Sequence, residues 1–596
     1  MTNLYNHPSL NKRQLRAQID PITGEIVFAG ILTEACYADT VDCVIPNIHA
    51  LPIIFVAGVM GSNLCDKDPK LARTKGDIEK IKDVWLVDSD VTMASWIRRG
   101  PAERQAILHP SKTFVYERGD VPGHVTGILT GPEHYWARGW GEVGAMSYKE
   151  FLLWLENQLN AGGIANNHDK LNTVLEKLKD REVWHAQKPF EPLTPAESEK
   201  SLQWIYPVHA CGYNWLDNCA ASAKRLADRI DEVMALYNKR GTCKQVILVT
   251  HSMGGLVARY CSEVDDAKRK HKAMRKKIAG IVHGVMPTVG AVMAYRRCKV
   301  GMWDEDKGAS LVIGRTGQEI TAVFAQAPGT LQLLPSKQYP VQNWLEIVDS
   351  NGAQLPGRPM TDDPYKNVYL ERKKWWGLVK EEWLAPSKET AINWTTFKRN
   401  IAFASDFHSA LKDKYHANTW GFFGSMGYEV KKKTKRAELA PNSYARITWV
   451  VEPGTVPLTN DAPDPNSIAG MKPDQVRQSG SNPVDIPAPD TQTPEPEMYI
   501  PAAFARTDFG NKTESIPASY FRIRLAKPEG SGDSTVPVES GSFPCTSAGT
   551  GSVKQFFKVS GIGHEPAYKD KRTQHLTAYA IGKIAAGLPL PTPGKA

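Results

Sequence analysis

Short apolar runs alternate with amphipathic segments in the first half of the chain. Residues 51–59 (LPIIFVAGV), 204–209 (WIYPVH) and 245–249 (QVILV) are three such runs. Between the last two, apolar residues recur at helical spacing over residues 219–237, with most charged residues off that face. A fourth run, residues 278–285, follows another helix-compatible segment. The alternation of strand and helix predicts an α/β protein with a mostly parallel sheet covered on both faces.

The second half of the chain is less regular. Residues 287–515 are irregular and rich in Trp, and residues 453–496 are crowded with Pro, Asp, Ser and Gln. We predict an exposed, flexible loop over 453–496. Strand-like alternation returns at residues 520–525 (YFRIRL) and 553–559 (VKQFFKV), and a closing helix is expected at 573–586. The predicted core therefore has two parts, residues 1–286 and 516–596, and residues 287–515 are inserted between them as a cap or lid.

Length and composition argue against several classes of protein. A chain of 596 residues exceeds the size at which one core stops growing, so one large domain with insertions or two domains are expected. The polar N-terminus has no apolar run after it, and no run reaches about 18 residues, which argues against a signal peptide and a transmembrane helix. Nine dispersed Cys argue against a disulfide framework and against a zinc site. The net charge of +9 comes with no nucleic-acid-binding module, so no nucleic-acid partner is expected.

Ser252 lies in a strand–turn–helix context. The apolar run 245–249 leads into THSMGG (residues 250–255), and residues 256–263 are compatible with a helix. This is the pattern of the G-x-S-x-G nucleophile elbow, which exposes a serine hydroxyl at the sheet edge of an α/β-hydrolase. Thr250 departs from the pattern because glycine is usual at that position. We predict an α/β-hydrolase fold with Ser252 as nucleophile, the alternative being a structural serine in a turn.

Two other serines fit the elbow less well. Ser425 lies between glycines in GSMG (residues 424–427), but it follows TWGFF rather than a clear buried strand. Ser62 follows the first apolar run, but no helix-forming segment with the right spacing comes after it. We therefore expect neither serine to be the nucleophile.

A serine nucleophile needs an imidazole to take its proton and a carboxylate to orient that imidazole. In this fold the acid and the histidine follow the serine in that order. Asp533 lies in a glycine-rich turn after the first late strand, and His564 lies in a turn after the second. We predict Asp533 as the acid and His564 as the base; Glu539 and Asp508 are weaker candidates for the acid.

Two backbone amides are expected to stabilise the negative oxygen that forms on the substrate during the reaction. We predict Met253, directly after the nucleophile, and Val59, in the loop GVMG (residues 58–61). His251 is expected only to shape the pocket, and His575 to be a surface or packing residue. The sequence has no second His of a zincin motif and no phosphate-binding loop, so neither a metal nor a cofactor is expected.

Several short segments together resemble known lipases. PIIFVAGVMGS (residues 52–62), the HSMGG elbow, PGTLQLLP (328–335) and GDSTVP (532–537) resemble lecithin:cholesterol acyltransferase-like lipases. The elbow is also similar to that of inositol deacylases of glycolipid anchors. HGVMPTVG (283–290), YRR (295–297) and the leaderless N-terminus resemble the fourth class of bacterial type VI secretion lipase effectors, which are antibacterial toxins. Ala57 stands where the acyltransferase-like loop usually has Pro.

This resemblance implies a function and partners. The substrate would be membrane phospholipid of a rival bacterium, and an immunity protein would protect the producing cell. The protein would be made in the cytoplasm without a signal peptide, be carried by spike or adaptor components of the secretion system, and reach the periplasm of the target cell. Two other functions stay open: a carboxylesterase or acyltransferase acting on small esters, and a non-catalytic binding protein with a hydrolase fold.

The predicted cap contains a tryptophan-rich segment, KKWWGLVKEEWL (residues 373–384). At helical spacing, Trp376, Val379 and Trp383 share one face beside lysines. Such a face could rest on a bilayer interface, or it could pack on the core as part of a cap helix. The pattern alone leaves both interpretations open.

Overall fold

A computed structural model shows two large β-sheets and, among the described residues, four small ones of two or three strands. It describes residues 13–16, 18–28, 41–44, 49–69, 80–123, 131–160, 184–239, 241–305, 307–387, 392–430, 437–478, 497–502, 519–546 and 553–589. The strands of the two sheets are β1 (Ile53–Val56), β2 (Trp184–Ala186), β3 (Val208–Cys211), β4 (Val246–His251), β5 (Ile278–Gly284), β6 (Leu345–Asp349), β7 (Thr419–Val430), β8 (Ala437–Ala440), β9 (Ile447–Pro453), β10 (Arg477–Gln478), β11 (Glu497–Pro501), β12 (Ser519–Leu525) and β13 (Val553–Ser560).

Helices connect and cover these strands. In chain order they are α1 (Asp90–Ala94), α2 (Pro101–Ile107), α3 (Pro132–Ala137), α4 (Ala145–Asn160), α5 (Pro195–Ser201), α6 (Cys219–Tyr237), α7 (Met253–Glu263), α8 (Val292–Val300), α9 (Lys307–Ile313), α10 (Gly317–Phe324), α11 (Pro328–Leu331), α12 (Trp394–Leu411), α13 (Val538–Gly541) and α14 (Lys571–Gly587). Shorter strands form small accessory pairs beside them: Arg13–Arg16 with Val41–Val44, Gln18–Ile19 with Ile26–Val27, His49–Ala50 with Trp204–Ile205, and Leu64–Cys65 with Asp83–Trp85 and Phe114–Val115.

The main sheet has the strand order β2-β13-β7-β5-β4-β1-β3, with β8 paired to β7. Neighbouring strands from β13 to β3 are parallel, whereas β2 and β8 pair antiparallel with their neighbours. Because successive side chains of a strand point to opposite faces, Ile54 and Val56 of β1 pack with α6 and α7, whereas Ile53 and Phe55 pack with α4 and α14. The predicted mostly parallel sheet with helices on both faces is confirmed.

The second sheet has the order β6-β9-β12-β11-β10. β6 and β9 are parallel, and the other pairs are antiparallel. This arrangement corrects one prediction, because residues 520–525 were expected to belong to the core formed by residues 516–596, whereas β12 lies in the second sheet. The physical reason is that alternation of apolar residues predicts a strand but does not specify the strand with which it pairs.

The boundaries of the predicted insertion also need a correction. β7 lies inside residues 287–515, yet it occupies the middle of the main sheet between β5 and β13. Gly421, Gly424 and Gly427 interrupt the apolar pattern of this strand. A Cβ atom on Gly424 would lie only 2.5 Å from the Cβ of Asp533, so the close approach of another chain explains this glycine. The segment 287–515 therefore contains a core strand as well as the region outside the main sheet.

The tryptophan-rich segment does not form a helix with one exposed face. Within it, the structure has a short 3₁₀ helix at Glu381–Trp383. Trp376, Val379 and Trp383 are all buried. The Trp376 indole donates to the carbonyl of Ala469 at 2.9 Å. Of the two interpretations that the sequence left open, the packed one is right and the interfacial one is wrong.

The predicted flexible loop 453–496 is partly ordered. Pro465–Gly470 forms a 3₁₀ helix in which Ile468 and Ala469 are buried, and Arg477–Gln478 is the edge strand of the second sheet. These apolar residues pack under the tryptophans of the preceding segment, so residues 465–478 do not form a free loop, whereas residues 457–461 are exposed and belong to no helix or strand. Residues 479–496 lie outside the described part of the chain. No helix among the described residues is both long and apolar enough to cross a membrane.

Candidate active site

Ser252 stands at the junction between β4 and α7. β4 ends at His251 and α7 begins at Met253, so the serine is the N-cap residue of α7. Its φ of 52° is positive, a backbone conformation that residues other than glycine rarely adopt. The Ser252 amide donates to the carbonyl of Gly284 at 2.9 Å, which fixes the turn to the end of β5. The serine is therefore held at the carboxyl edge of the main sheet, as the elbow pattern predicts.

Close packing explains the residues on either side of Ser252. A Cβ atom on Gly254 would lie 2.4 Å from the carbonyl oxygen of Val56, so only glycine fits at this position. Thr250, where glycine is usual, is fully buried. Its hydroxyl lies 2.9 Å from Nδ1 of His283, its cross-strand partner in β5. The departure from the elbow pattern is thus accommodated by a hydrogen-bonded pair inside the sheet.

Asp533 reaches the same edge on a loop that connects the two sheets. The loop leaves β12 of the second sheet and leads to β13 of the main sheet, and Asp533 is 1% exposed. The Gly532 amide donates to the carbonyl of Ser425 at 3.2 Å, which ties the loop to β7. Oδ1 of Asp533 accepts hydrogen bonds from the amides of Thr535 at 3.1 Å and Val536 at 2.7 Å. These two donors hold the carboxylate in one orientation and leave Oδ2 for another partner.

His564 lies between Ser252 and Asp533 and is hydrogen-bonded to both. Its Nδ1 lies 2.9 Å from Oδ2 of Asp533, and its Nε2 lies 2.8 Å from Oγ of Ser252. The carboxylate can only accept, so Nδ1 carries the proton and Nε2 is free to accept the serine proton. The turn after β13 is fixed by the Gly561 amide, which donates to the carbonyl of Met426 at 2.7 Å. The structure brings the three predicted residues together in the arrangement of a Ser–His–Asp triad.

The loop at residues 58–61 lies against the nucleophile. A Cβ atom on Gly58 would lie 3.1 Å from the Cβ of Ser252, and Met60 turns the chain with a φ of 62°. Among the described residues, neither the Val59 amide nor the Met253 amide donates a hydrogen bond. Both predicted oxyanion donors therefore flank Ser252 with their N–H groups unused, which is the condition that such a role requires.

The other serine candidates have structural roles. Ser425 lies within β7, with its Oγ 3.1 Å from Oγ of Ser560. It follows a buried strand after all, but the strand continues past it and no helix begins there. Ser62 is buried, and its Oγ accepts a hydrogen bond from the Tyr213 amide at 3.1 Å.

The remaining acid and base candidates are not part of this arrangement. Glu539 lies in α13 and His575 in α14, and among the described residues neither is hydrogen-bonded to Ser252 or His564. His575 packs edge-on against Trp154, with ring centroids 5.6 Å apart, as expected for a packing residue. Asp508 lies outside the described residues.

A cavity of about 1170 Å³ opens beside the triad. Its volume exceeds the roughly 300–1,000 Å³ of ordinary small-molecule sites. Ser252, His564 and Val59 lie in its wall. Most of the remaining lining is apolar and comes from the accessory strands and several helices, including Trp85, Val87, Met93, Ile97, Met146, Met293, Leu311, Val312 and Phe324. The volume and the mostly apolar lining can accommodate a long hydrocarbon chain next to Ser252.

One residue of the cavity wall carries no sequence signal. The hydroxyl of Tyr148, from α4, lies 2.9 Å from Nδ1 of His251, which also lines the cavity. His251 was expected only to shape the pocket. Because Tyr148 sits on the apolar face of an ordinary amphipathic helix, its spacing marks it only as a core residue, and no motif could have found it.

Comparisons with known proteins agree with this architecture. Residues 219–302, which include the elbow, match the family model described as the PGAP1-like alpha/beta domain. A chain in the crystal structure of the Tle4–Tli4 complex is 23% identical to this chain and superposes with a TM-score of 0.61, covering 90% of this chain and 98% of its own. No curated protein matches the sequence. The chain has the α/β-hydrolase fold, as predicted, and its structural likeness to the chain of the Tle4–Tli4 complex extends over nearly its whole length.

Proposed function

We propose that this protein is a serine lipase that hydrolyses acyl ester bonds of bacterial membrane phospholipids. The observation that carries the proposal is the continuous hydrogen-bonded arrangement of Ser252, His564 and Asp533 in the wall of a large apolar cavity. A phospholipid supplies both an ester for the nucleophile and a long acyl chain for the cavity.

The chemistry follows from the positions of the atoms. Nε2 of His564 takes the proton of Ser252 as Oγ attacks the ester carbonyl carbon, and the amides of Met253 and Val59 stabilise the resulting oxyanion. The imidazolium gives that proton to the departing alcohol oxygen as the carbon–oxygen bond breaks, leaving an acyl group on Ser252. Water, deprotonated by His564, then releases the fatty acid. Asp533 keeps Nδ1 protonated and stabilises the imidazolium throughout.

Exposed apolar side chains beside the cavity support a lipid substrate rather than a small soluble ester. Ile97 and Met146, both in the cavity lining, are 39% and 40% exposed, and Val91 of α1 is 83% exposed. Single exposed apolar residues are ordinary on a protein surface, but three of them near one cavity favour a surface that contacts a partner or a membrane. A bilayer touching this rim would present its esters at the mouth of the cavity. We name Val91, Ile97 and Met146 the apolar rim.

We further propose that the protein acts as a secreted antibacterial toxin. The support is the fold shared with Tle4, a type VI secretion lipase effector that is bound by its immunity protein Tli4 in the solved complex. By this proposal a cognate immunity protein covers or locks the active site in the producing cell, and the enzyme meets phospholipid in the periplasm of the target cell. The motifs at residues 283–290 and 295–297 point to the same class of effector.

The first test measures fatty acid released from vesicles made of bacterial phospholipids. We expect release by the wild-type protein and none above the background of vesicles alone by Ser252→Ala. Ser425→Ala is the matched control, since it removes another buried serine hydroxyl and should keep wild-type activity. Release by Ser252→Ala would refute the assigned nucleophile, whereas cleavage of a short-chain soluble ester without release from vesicles would favour a carboxylesterase of small esters.

The toxin proposal has its own test. Expression with a periplasmic targeting signal in a susceptible Gram-negative strain should stop growth, and cytoplasmic expression should not. Ser252→Ala directed to the periplasm should be harmless. Equal toxicity of the wild type and this variant would show that growth arrest does not depend on hydrolysis.

A further inference from the structure

A chain of hydrogen bonds connects the loop at Gly58 to the main chain of the base. The Gly58 amide lies 3.3 Å from the hydroxyl of Tyr148, and that hydroxyl lies 2.9 Å from Nδ1 of His251. On the other side of the ring, Nε2 of His251 lies 2.9 Å from the carbonyl oxygen of His564. We call these four residues the catalytic-site relay.

The chemistry of the groups fixes the direction of every bond in this relay. The His564 carbonyl can only accept, so Nε2 of His251 carries the proton. The neutral imidazole then has Nδ1 as an acceptor, and the Tyr148 hydroxyl must donate to it. The same hydroxyl accepts the N–H of Gly58. For a neutral imidazole, no other arrangement of protons satisfies all three contacts.

The surroundings keep His251 neutral and Tyr148 in place. Burial lowers the pKa of His251 to about 3, with the neighbouring His564 adding to the effect, so the ring stays uncharged at physiological pH. The Tyr148 ring packs against Phe55 at a centroid distance of 4.8 Å and against the His251 ring at 5.6 Å. The phenol therefore has a fixed position independent of its hydrogen bonds.

We propose that Tyr148 is a positioning residue, which holds the oxyanion loop and the backbone of the catalytic base in register through His251. The inference rests on the proposed function of the triad and goes beyond it, because Tyr148 exchanges no proton with the substrate. If the hydroxyl is lost, the Gly58 amide has no acceptor and Nδ1 of His251 has no donor, so the link between the loop and the His251 ring is broken. The Val59 amide and the His564 imidazole then lose their fixed separation, although each stays in the site.

A second relay of the same chemistry provides an internal control. The hydroxyl of Tyr365 lies 2.6 Å from Nδ1 of His408, and Nε2 of His408 lies 2.8 Å from the carbonyl oxygen of Gln332. Burial lowers the pKa of His408 to about 4. None of these three residues lines the cavity. We call Tyr365, His408 and Gln332 the second relay.

The experiment compares Tyr148→Phe with Tyr365→Phe in the full-length protein, using hydrolysis of a short-chain soluble ester. Each change removes one buried hydroxyl that donates to a histidine, so both should lower thermal stability to a similar, small extent. For Tyr148→Phe we expect kcat to fall by about 10- to 100-fold, less than the roughly 10²- to 10³-fold lost with an oxyanion donor itself, with KM changed less than about twofold. For Tyr365→Phe we expect both constants within about twofold of wild type.

A double variant tests whether Tyr148 acts through His251. His251→Gln keeps an N–H donor for the His564 carbonyl but offers no ring acceptor to Tyr148. Adding Tyr148→Phe to His251→Gln should lower kcat less than about threefold further, because members of one relay are not additive. Full additivity, or a kcat of Tyr148→Phe within about twofold of wild type, would overturn the proposal.

Two measurements separate this proposal from the proposed function. Ser252→Ala in the same assay shows whether hydrolysis depends on the triad at all. Nitrogen-15 spectra of histidine-labelled protein report the relay without any activity: we expect His251 to be neutral and protonated at Nε2 in the wild type, and this pattern to change in Tyr148→Phe. A His251 protonated at Nδ1 in the wild type would refute the relay even if the protein were an active lipase.

Discussion

The catalytic-site relay and the second relay use the same three groups in the same order. In both, a buried tyrosine hydroxyl donates to Nδ1 of a neutral histidine, whose Nε2–H donates to a backbone carbonyl. They differ in the residue whose carbonyl accepts the last hydrogen bond. One is that of the base, His564, whereas the other is that of Gln332, whose side chain accepts from the Cys219 amide at the start of α6. The role of a buried hydrogen-bond network therefore depends on the residue at which the network ends, and its chemistry alone does not reveal that role.

The largest expected difference between the two regions comes from removing a carboxylate charge. Asp533→Asn should lower kcat by about 10⁴-fold, because an amide in place of the carboxylate favours the wrong tautomer of the base and no longer stabilises the imidazolium. Asp363→Asn, beside Tyr365 of the second relay, should change kcat less than about twofold. Steady-state kinetics on a soluble ester, with circular dichroism to verify folding, measure both effects. A small loss in Asp533→Asn would point to a different acid.

Both relays should contribute to the pH dependence of stability, and the second relay allows this contribution to be measured apart from catalysis. Burial lowers the pKa of His408 from 6.5 to about 4, so the unfolded chain binds this proton first as the pH falls. The relay is therefore fully stabilising above pH about 6.5, and it loses about 1 to 2 kcal/mol of unfolding free energy by pH about 5. His408→Gln should remove that part of the pH dependence while leaving kcat near wild type. Urea unfolding at several pH values measures it, and an unchanged slope would contradict the assigned protonation state.

The smallest expected effect concerns the apolar rim. Val91→Ser should lower hydrolysis of vesicles by about fivefold, since burying one valine side chain in a bilayer is worth about 1 kcal/mol, and should leave the soluble ester unaffected. Leu458→Ser is the control, because Leu458 is 55% exposed and belongs to neither the apolar rim nor the cavity lining. Equal losses in the two variants, or a loss on the soluble ester, would count against membrane contact at this rim.

The sequence predicted the main sheet better than the second sheet for a physical reason. β1, β4 and β5 are buried on both faces, so they show as continuous apolar runs, and the strained turn after β4 demands the small residues of the elbow. β7 was missed because close chain approach requires glycines within it. β12 was predicted to be a strand but was assigned to the wrong sheet, because alternation of apolar residues does not specify the strand with which it pairs.

In the candidate site, too, some residues could be found from the sequence and others could not. Ser252, Asp533 and His564 stand in turns that a motif describes, so they could be found from the sequence. Tyr148 and Tyr365 both look like core residues, and the contacts that distinguish them depend on chain segments far apart in sequence. The sequence does not distinguish the two relays, because they differ only in the residue whose carbonyl accepts the last hydrogen bond, His564 or Gln332.

The loop that carries Asp533 has a consequence for when the enzyme becomes active. Ser252 and His564 each follow a strand of the main sheet, β4 and β13. Asp533 instead follows β12, which is a strand of the second sheet. A newly made chain that has assembled only its main sheet therefore holds two of the three groups and lacks the third. A partly folded chain of this kind has Ser252 and His564 but no carboxylate to orient the histidine, so hydrolysis through these three residues requires both sheets.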